Sequence, residues 1–134
     1  MDAFCTYCSD SKSHEIGEIP AIQRYQSSRI ETVHAAASSL GLAFYILSGE
    51  FGLIPPERPI PWYDHLLRPE EVSSLVELMA SQIYQHSITG LVYFTKPLNY
   101  EKEILPYHDA IVAACSLSSR PYIVVEVENE NLSN

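Results

Sequence analysis

The run Leu42-Ala43-Phe44-Tyr45-Ile46-Leu47 is apolar from end to end. A strand with one wet face alternates apolar and polar side chains. An unbroken run of this length fits a strand covered on both faces, as in a parallel sheet flanked by helices. It stops at Ser48-Gly49-Glu50-Phe51-Gly52. Three other segments read as strands: Ala3 to Cys8, Gly90 to Thr95 and Tyr122 to Val127. Between the four lie helical stripes. The first is Ile30, Val33, Ala37 and Leu40; the second is Val72, Leu75, Val76, Met79 and Ile83; the third is Ile104, Tyr107, Ile111, Val112 and Cys115. Ser28 and Glu31 have capping-box spacing, Gly41 suits a left-handed helix end, and Pro69 suits a first helical position. Pro106 predicts a kink or a restart in the third helix. Residues 10–26 are polar and read as a loop or irregular turn. The four prolines between Pro55 and Pro61 exclude helix and central strand there.

Strands alternating with helices predict parallel pairing through right-handed crossovers. The expected architecture is a single α/β domain over residues 1–127, three-layered and Rossmann-like, with a mostly parallel sheet of about four strands. An acidic, flexible tail is expected over 128–134. A chain of 134 residues with 46% apolar side chains can bury a core without disulfide or metal staples.

Eight Lys plus Arg against 17 Asp plus Glu leave a formal charge of −9. That balance argues against tight nonspecific binding to nucleic-acid backbones, which needs clustered cations. It leaves room for a small-molecule ligand, which needs only one or two. The start Met1-Asp2-Ala3-Phe4 carries an acid where a signal peptide carries cations, and no stretch is long and apolar enough for a membrane span. Three cysteines do not make a disulfide framework. A cytoplasmic protein is expected, with no membrane partner and with a homo-oligomer or a protein partner both open.

Ligands of parallel sheets collect beyond the carboxyl ends of the strands. That rule selects Ser9 to Lys12, Ser48 to Gly52 and Thr95 to Tyr100. Lys12, flanked by hydroxyls, can hold an anion or act as an amine nucleophile when desolvated; the plainer reading is a solvated loop lysine. Gly49 and Gly52 let backbone approach a ligand, and Glu50 between them is the best-placed general base. Trp62 and Tyr63 can stack a planar base, with Asp64 free to bind a ribose hydroxyl or an amine; alternatively the two aromatics are a lid over the sheet. Cys5 and Cys8 form a Cys-x-x-Cys within a predicted strand, where Cys5 reads as core and Cys8 as a candidate reactive thiol. The five histidines have no metal-ligand spacing, and His14 and His65 are the two expected near the pocket. No Walker A loop and no Gly-x-Ser-x-Gly elbow is present, and no cofactor or metal is expected.

Cys8-Ser9-x-x-Lys12, then Leu47-Ser48-Gly49-x-Phe51-Gly52-Leu53, then Tyr63-Asp64 resembles the signature of a set of small bacterial and phage domains. Those domains carry Cys-Ser-x-x-Lys, Leu-Ser-Ala-x-Tyr-Gly-Leu and Pro-Tyr-Asp. They are distantly similar to the YaaA-like peroxide-stress proteins and to the core domain of archaeosine synthase, an enzyme modifying a deazaguanine base in tRNA. Phe51 stands where the family has a tyrosine, and Trp62 where proline is common. The resemblance implies site positions at Cys8, Ser9, Lys12, Ser48, Gly49, Gly52, Tyr63 and Asp64, with Tyr100 matching a tyrosine after the third strand.

Together these readings lead to the expectation of a small enzyme acting on a nucleobase, nucleoside or nucleotide-like molecule, by group transfer or hydrolysis at the base or glycosidic bond. Lys12, Glu50, Asp64 and Cys8 are the candidate catalytic groups. Ser9, Ser48, Gly49, Phe51, Gly52, Trp62, Tyr63 and Tyr100 are the candidate substrate contacts. The alternatives are a non-catalytic ligand-binding or sensor domain, or a protein-interaction module in phage–host conflict. Substitutions at Lys12, Glu50 and Asp64 are expected to leave stability nearly unchanged, because loop positions beyond strand ends lie outside the core stripes.

Overall fold

Residues 2–127 are described by a computed structural model, and the expected tail over 128–134 lies outside the described residues. The central strand is β1 (Asp2–Tyr7), in which Ala3, Cys5, Thr6 and Tyr7 are buried. Parallel neighbours lie on both sides of it: β3 (Ala43–Ser48) pairs Cys5 with Tyr45, and β6 (Gly90–Thr95) pairs Cys5 with Tyr93. β7 (Tyr122–Glu126) adds in parallel to β6. These are the four expected strands, as parallel neighbours.

A fifth strand, β4 (Gly52–Ile54), turns back antiparallel on β3 at the sheet edge. The sequence pattern places Gly52 in the turn that ends the apolar run and assigns Leu53 and Ile54 to no element. Gly52 sits at φ +72°, and a Cβ there would lie 2.4 Å from Gln82 Oε1. Gln82 needs that space. Its Oε1 accepts the Leu53 N–H at 2.7 Å, and its Nε2 donates to the Phe51 carbonyl at 2.9 Å. The edge strand is thereby held by a side chain far along the sequence.

The prolines of 55–61 form one half of a separate ribbon, β2 (Ile19–Pro20) against β5 (Pro59–Ile60). A two-residue ribbon needs few N–H donors, which is why proline is tolerated there. A short helix, α1 (Ala21–Arg24), follows β2.

α2 (Ser28–Ser39) packs on β1 and β3. Its cap is Ser27, whose hydroxyl accepts the Ile30 N–H, one residue before the expected capping box. α3 (Val72–Gln85) is entered through a 3-10 turn, Pro69–Glu71; α4 (Leu105–Leu117) is entered through Lys102–Ile104, with Pro106 in its first turn. α3 and α4 pack against each other, α3 also on β4 and α4 on β6. The sheet order β4-β3-β1-β6-β7 is compatible with a Rossmann-like α/β fold. No helix among the described residues is long and apolar enough to cross a membrane.

All three long helices end in a left-handed residue, at Gly41 (φ 69°), Ser87 (φ 54°) and Ser119 (φ 55°). At each, the following N–H returns to a carbonyl one turn back: Leu42 to Ala37, Ile88 to Ile83 and Arg120 to Cys115. This is the closure that favours glycine. Ser119 is exposed and carries the steric cost of its Cβ for no visible return. Ser119→Gly is expected to stabilise the fold by about 0.5–1 kcal/mol, and Gly41→Ala to destabilise it by a similar amount. Denaturant melts of both variants check the pair, and a Ser119→Gly protein less stable than the parent would refute the account.

Candidate functional site

At the carboxyl end of β1, the Cys8 N–H continues the parallel ladder to the Leu47 carbonyl at 2.9 Å. Beyond that point the chain leaves the sheet, and exposed carbonyls need donors. Arg29, in the first turn of α2, supplies them. Its buried guanidinium donates to Thr6 Oγ1 and the Tyr7 carbonyl at 2.6 Å each, and to the Cys8 carbonyl at 3.1 Å. It also lies over the Tyr7 ring, 3.6 Å from the centroid.

Residues 10–26 are more ordered than a polar loop. Lys12 bridges antiparallel to Tyr25, with the Ser13 N–H on the Arg24 carbonyl at 2.7 Å and the Gln26 N–H on the Ser11 carbonyl at 2.9 Å. Arg24 is fully buried and gathers carbonyls: those of Ser13, Glu15, Gly17 and Ile60. It closes the loop onto the β2–β5 ribbon and fixes the strand segment that carries Lys12.

Lys12 is 8% exposed. Its ammonium stands 4.7 Å from the centroid of the Tyr63 ring and 6.0 Å from that of Tyr25. The ion pairs among the described residues are those of His65 and His108, so no carboxylate there pairs with Lys12. The other buried cations differ: Arg24 donates to backbone carbonyls, and Arg29 to backbone carbonyls and Thr6 Oγ1. Lys12 instead faces two aromatic π-systems.

Ser48 ends β3 and organises the turn after it. Its Oγ accepts the N–H groups of Glu50 and Phe51, both at 3.0 Å, and meets Tyr63 Oη at 2.8 Å. Tyr63 Oη in turn meets Tyr25 Oη at 2.5 Å. Phe51 stands edge-on to the Tyr63 ring at 5.2 Å. Burial pushes the Tyr25 and Tyr63 phenols well above the usual tyrosine range, and the neighbouring Cys8 pushes the same way. Both stay protonated. At Gly49 a Cβ would lie 3.1 Å from Leu67 Cβ and 3.3 Å from the His65 carbonyl oxygen. The glycine lets residues 61–68 lie directly on the turn, which is what brings Tyr63 over Ser48.

His65 locks that arrangement from outside. Nδ1 contacts Glu50 Oε1 at 2.6 Å, and Nε2 contacts Glu71 at 2.9 Å. Glu71 also accepts the Arg68 N–H at 2.9 Å, capping the 3-10 turn before α3. The Glu50 carboxylate is therefore engaged with His65, outside the tyrosine cluster.

Of the expected site residues, Lys12, Ser48, Phe51 and Tyr63 form one group, joined by Tyr25. Gly49 and Gly52 shape the turn without presenting a functional group. Trp62 is half exposed and stacks on His14 at 5.3 Å. Asp64 is exposed. Ser9 Oγ donates to the Ser11 carbonyl at 2.8 Å. The Cys8 thiol is buried and donates to Tyr107 Oη at 3.8 Å, which also accepts the Leu67 N–H at 3.0 Å. Tyr100 lies apart, with the Lys96 ammonium 4.4 Å from its ring centroid. Cys5 and Cys115 are buried, and burial pushes the Cys115 thiol up to about 11. Between the end of β1 and the entry to α4, Tyr7, Cys8, Asp10, Glu101 and Tyr107 line a small crevice. Tyr25, Arg24 and Arg29 were not singled out from sequence. Among the described residues no cluster of three or more His, Cys, Asp or Glu side chains is arranged to hold a metal ion.

Both ring nitrogens of His65 can donate at once only in the imidazolium. Its hydrogen bonds to Glu50 and then Glu71 raise its pKa above the ordinary 6.5, while Glu71 is lowered, chiefly by His65. A raised histidine pKa gives stability that is complete below 6.5 and fades as pH rises through the folded value. A lowered carboxylate gives stability present above its ordinary value and lost as pH falls through the folded one. The clamp is therefore fullest between about pH 4.5 and 6.5. In an NMR titration His65 is expected to titrate above 6.5, and Glu71→Gln to bring it down. A His65 pKa unmoved by that substitution would contradict the clamp.

The chain matches no protein-family model, no curated protein and no solved structure.

Proposed function

We propose that this protein is a small enzyme acting on a nucleobase, nucleoside or nucleotide-like substrate, at a site beyond the carboxyl ends of β1 and β3, in a three-layered Rossmann-like domain. One observation carries the reading: Lys12 is buried over two tyrosine rings and pairs with no carboxylate among the described residues, in a chain of net charge −9. A cation held over aromatic rings with no carboxylate beside it is expected to earn its place through a ligand. Lys12 is the group that holds the substrate's electron-rich centre or attacks it as an amine. Tyr63 and Phe51 form an aromatic wall for a planar ring, with Trp62 and His14 as an outer shelf. Glu50, acting with His65, is the proton-transferring pair at the rim, and Asp64 is the outer substrate contact. The resemblance of the Cys8–Lys12 segment to that of archaeosine synthase, a base-modifying enzyme, supports the same substrate class. The chemistry is group transfer or hydrolysis at the base or glycosidic bond.

The burial of Lys12 changes the expected behaviour of its variants. Lys12→Ala would leave a gap as well as remove a charge, so it does not separate function from stability. Lys12→Met keeps the apolar stem. A panel of nucleobases, nucleosides and nucleotides, followed by thermal shift and by chromatography of products, tests the proposal. At least one compound is expected to raise the parent's melting temperature and be turned over. Lys12→Met is expected to retain the fold and lose turnover by about a hundredfold or more. Binding without turnover would point to a sensor domain, and a panel without any binder would overturn the substrate class.

A further inference from the structure

In the sheet order β4-β3-β1-β6-β7, the chain leaves β1 for β3 on one side and leaves β6 for β7 on the other. β1 and β6 are therefore the neighbours at which the connections part. Open parallel sheets take ligands in the crevice beyond the carboxyl ends of the strands at such a point. The crevice between the end of β1 and the entry to α4 lies there. Tyr7, Cys8 and Asp10 line it from β1, and Glu101, Glu103 and Tyr107 from the chain that follows β6. Its volume is about 30 Å³. That is room for about two water-sized groups, and too little for a base.

The lining decides what chemistry fits. The carboxylates of Asp10, Glu101 and Glu103 are exposed and form no ion pair among the described residues, and no Lys or Arg lines the crevice. They offer acceptors only. Tyr7 offers the opposite. It is 3% exposed, and no hydrogen bond of ordinary geometry reaches its buried hydroxyl. The Lys96 backbone bears on that phenol in the sense that lowers its pKa, as an N–H donor does, and so takes no proton from it. A buried donor without an acceptor is costly and uncommon. A group that fills the crevice must therefore accept from Tyr7 and donate to carboxylates. An ammonium has no lone pair to accept with, and a phosphate or carboxylate is repelled by the three acids. Alcohol hydroxyls do both, and the space suits a pair of them.

We infer that the crevice where the β1 and β6 connections part is a sugar subsite, in which the Tyr7 hydroxyl and the carboxylates of Glu101, Glu103 and Asp10 hold the vicinal hydroxyl pair of a ribose. The inference deepens the nucleoside reading and rests on it for the presence of a sugar, but not for the reaction. The two places adjoin: Cys8 lines the crevice and also stands close enough to Tyr25 and Tyr63 to raise both phenols. Glu101 is the carboxylate that bears on the Tyr7 phenol, and Asp10 bears on that of Tyr107. Acceptors thus stand beside both phenols of the crevice.

Methyl β-ribofuranoside, its 2-deoxy counterpart and methylammonium chloride are the probes. Each is titrated at ionic strength fixed with sodium chloride and followed by the amide resonances of Cys8, Asp10, Glu101 and Glu103. The riboside is expected to shift them saturably, the 2-deoxy sugar to bind about tenfold more weakly, and methylammonium to give no saturation. Tyr7→Phe keeps the ring that lies under Arg29, and Glu101→Gln changes an exposed side chain. Each is expected to remain folded and to weaken riboside binding about fivefold or more. If Tyr7→Phe does not fold, Glu101→Gln and the 2-deoxy comparison carry the test. Equal binding of the two sugars, saturation by methylammonium in place of the riboside, unchanged affinity in either folded variant, or no saturable response to any probe would overturn the inference. Riboside binding without turnover of any nucleoside would leave the subsite standing and remove only the enzymatic reading. Nucleoside turnover that ignores both 2′-deoxygenation and Tyr7→Phe would do the reverse.

Discussion

A parallel strand that ends in the middle of a sheet leaves carbonyls at the place where the site must be built. Here the Arg29 guanidinium takes up that task, bonding the carbonyls of Tyr7 and Cys8 and the hydroxyl of Thr6 while covering the Tyr7 ring. Everything that follows depends on the direction in which the chain leaves Cys8. That direction brings Lys12 back beside Tyr25 and so over Tyr63. A planar guanidinium suits the role because its donors are fixed in a fork and can serve several oxygens at once. Lysine, with a single ammonium at the end of a flexible stem, cannot span the same set and stack on the ring as well.

The same device recurs a few residues away. Arg24 gathers the carbonyls of the 13–17 loop and of Ile60, and Gln82 completes the donor and acceptor set of the β4 edge. The site is thus assembled less by secondary structure than by three long polar side chains satisfying backbone that no ladder reaches. The groups of the cluster are held by their neighbours, so the ligand proposed for this site would need less ordering on binding.

What could be read from the sequence follows from this. The four parallel strands were legible because an apolar run such as Leu42 to Leu47 reports burial on both faces directly. The helices were legible through their stripes, although the first cap fell on Ser27 rather than Ser28. β4 was not, since three residues carry no period, and its anchor Gln82 lies in a distant helix. Residues 10–26 looked like a solvated loop because Arg24 and Tyr25 are polar by type. Their burial comes from partners that lie elsewhere in the chain, which no local pattern records. The strand-end rule placed Lys12 beyond β1, and the loop reading left it at the surface. Its burial is created by Tyr25 and Tyr63, and Tyr25 carried no motif. Glu50 was read as a base aimed at the ligand, whereas its carboxylate is engaged by His65.

The central position of β1 has a consequence for how the chain is made. It precedes both of its partners in the chain, and Cys5 requires Tyr45 on one side and Tyr93 on the other. Half of its ladder therefore waits until β6 has been synthesised. During that interval an apolar strand with Phe4, Cys5 and Tyr7 remains open along one edge. Non-local parallel pairing of this kind is slow, and an incomplete edge is where nascent chains associate wrongly. The interval before β6 emerges is thus the time at which the nascent chain most needs shielding by a chaperone.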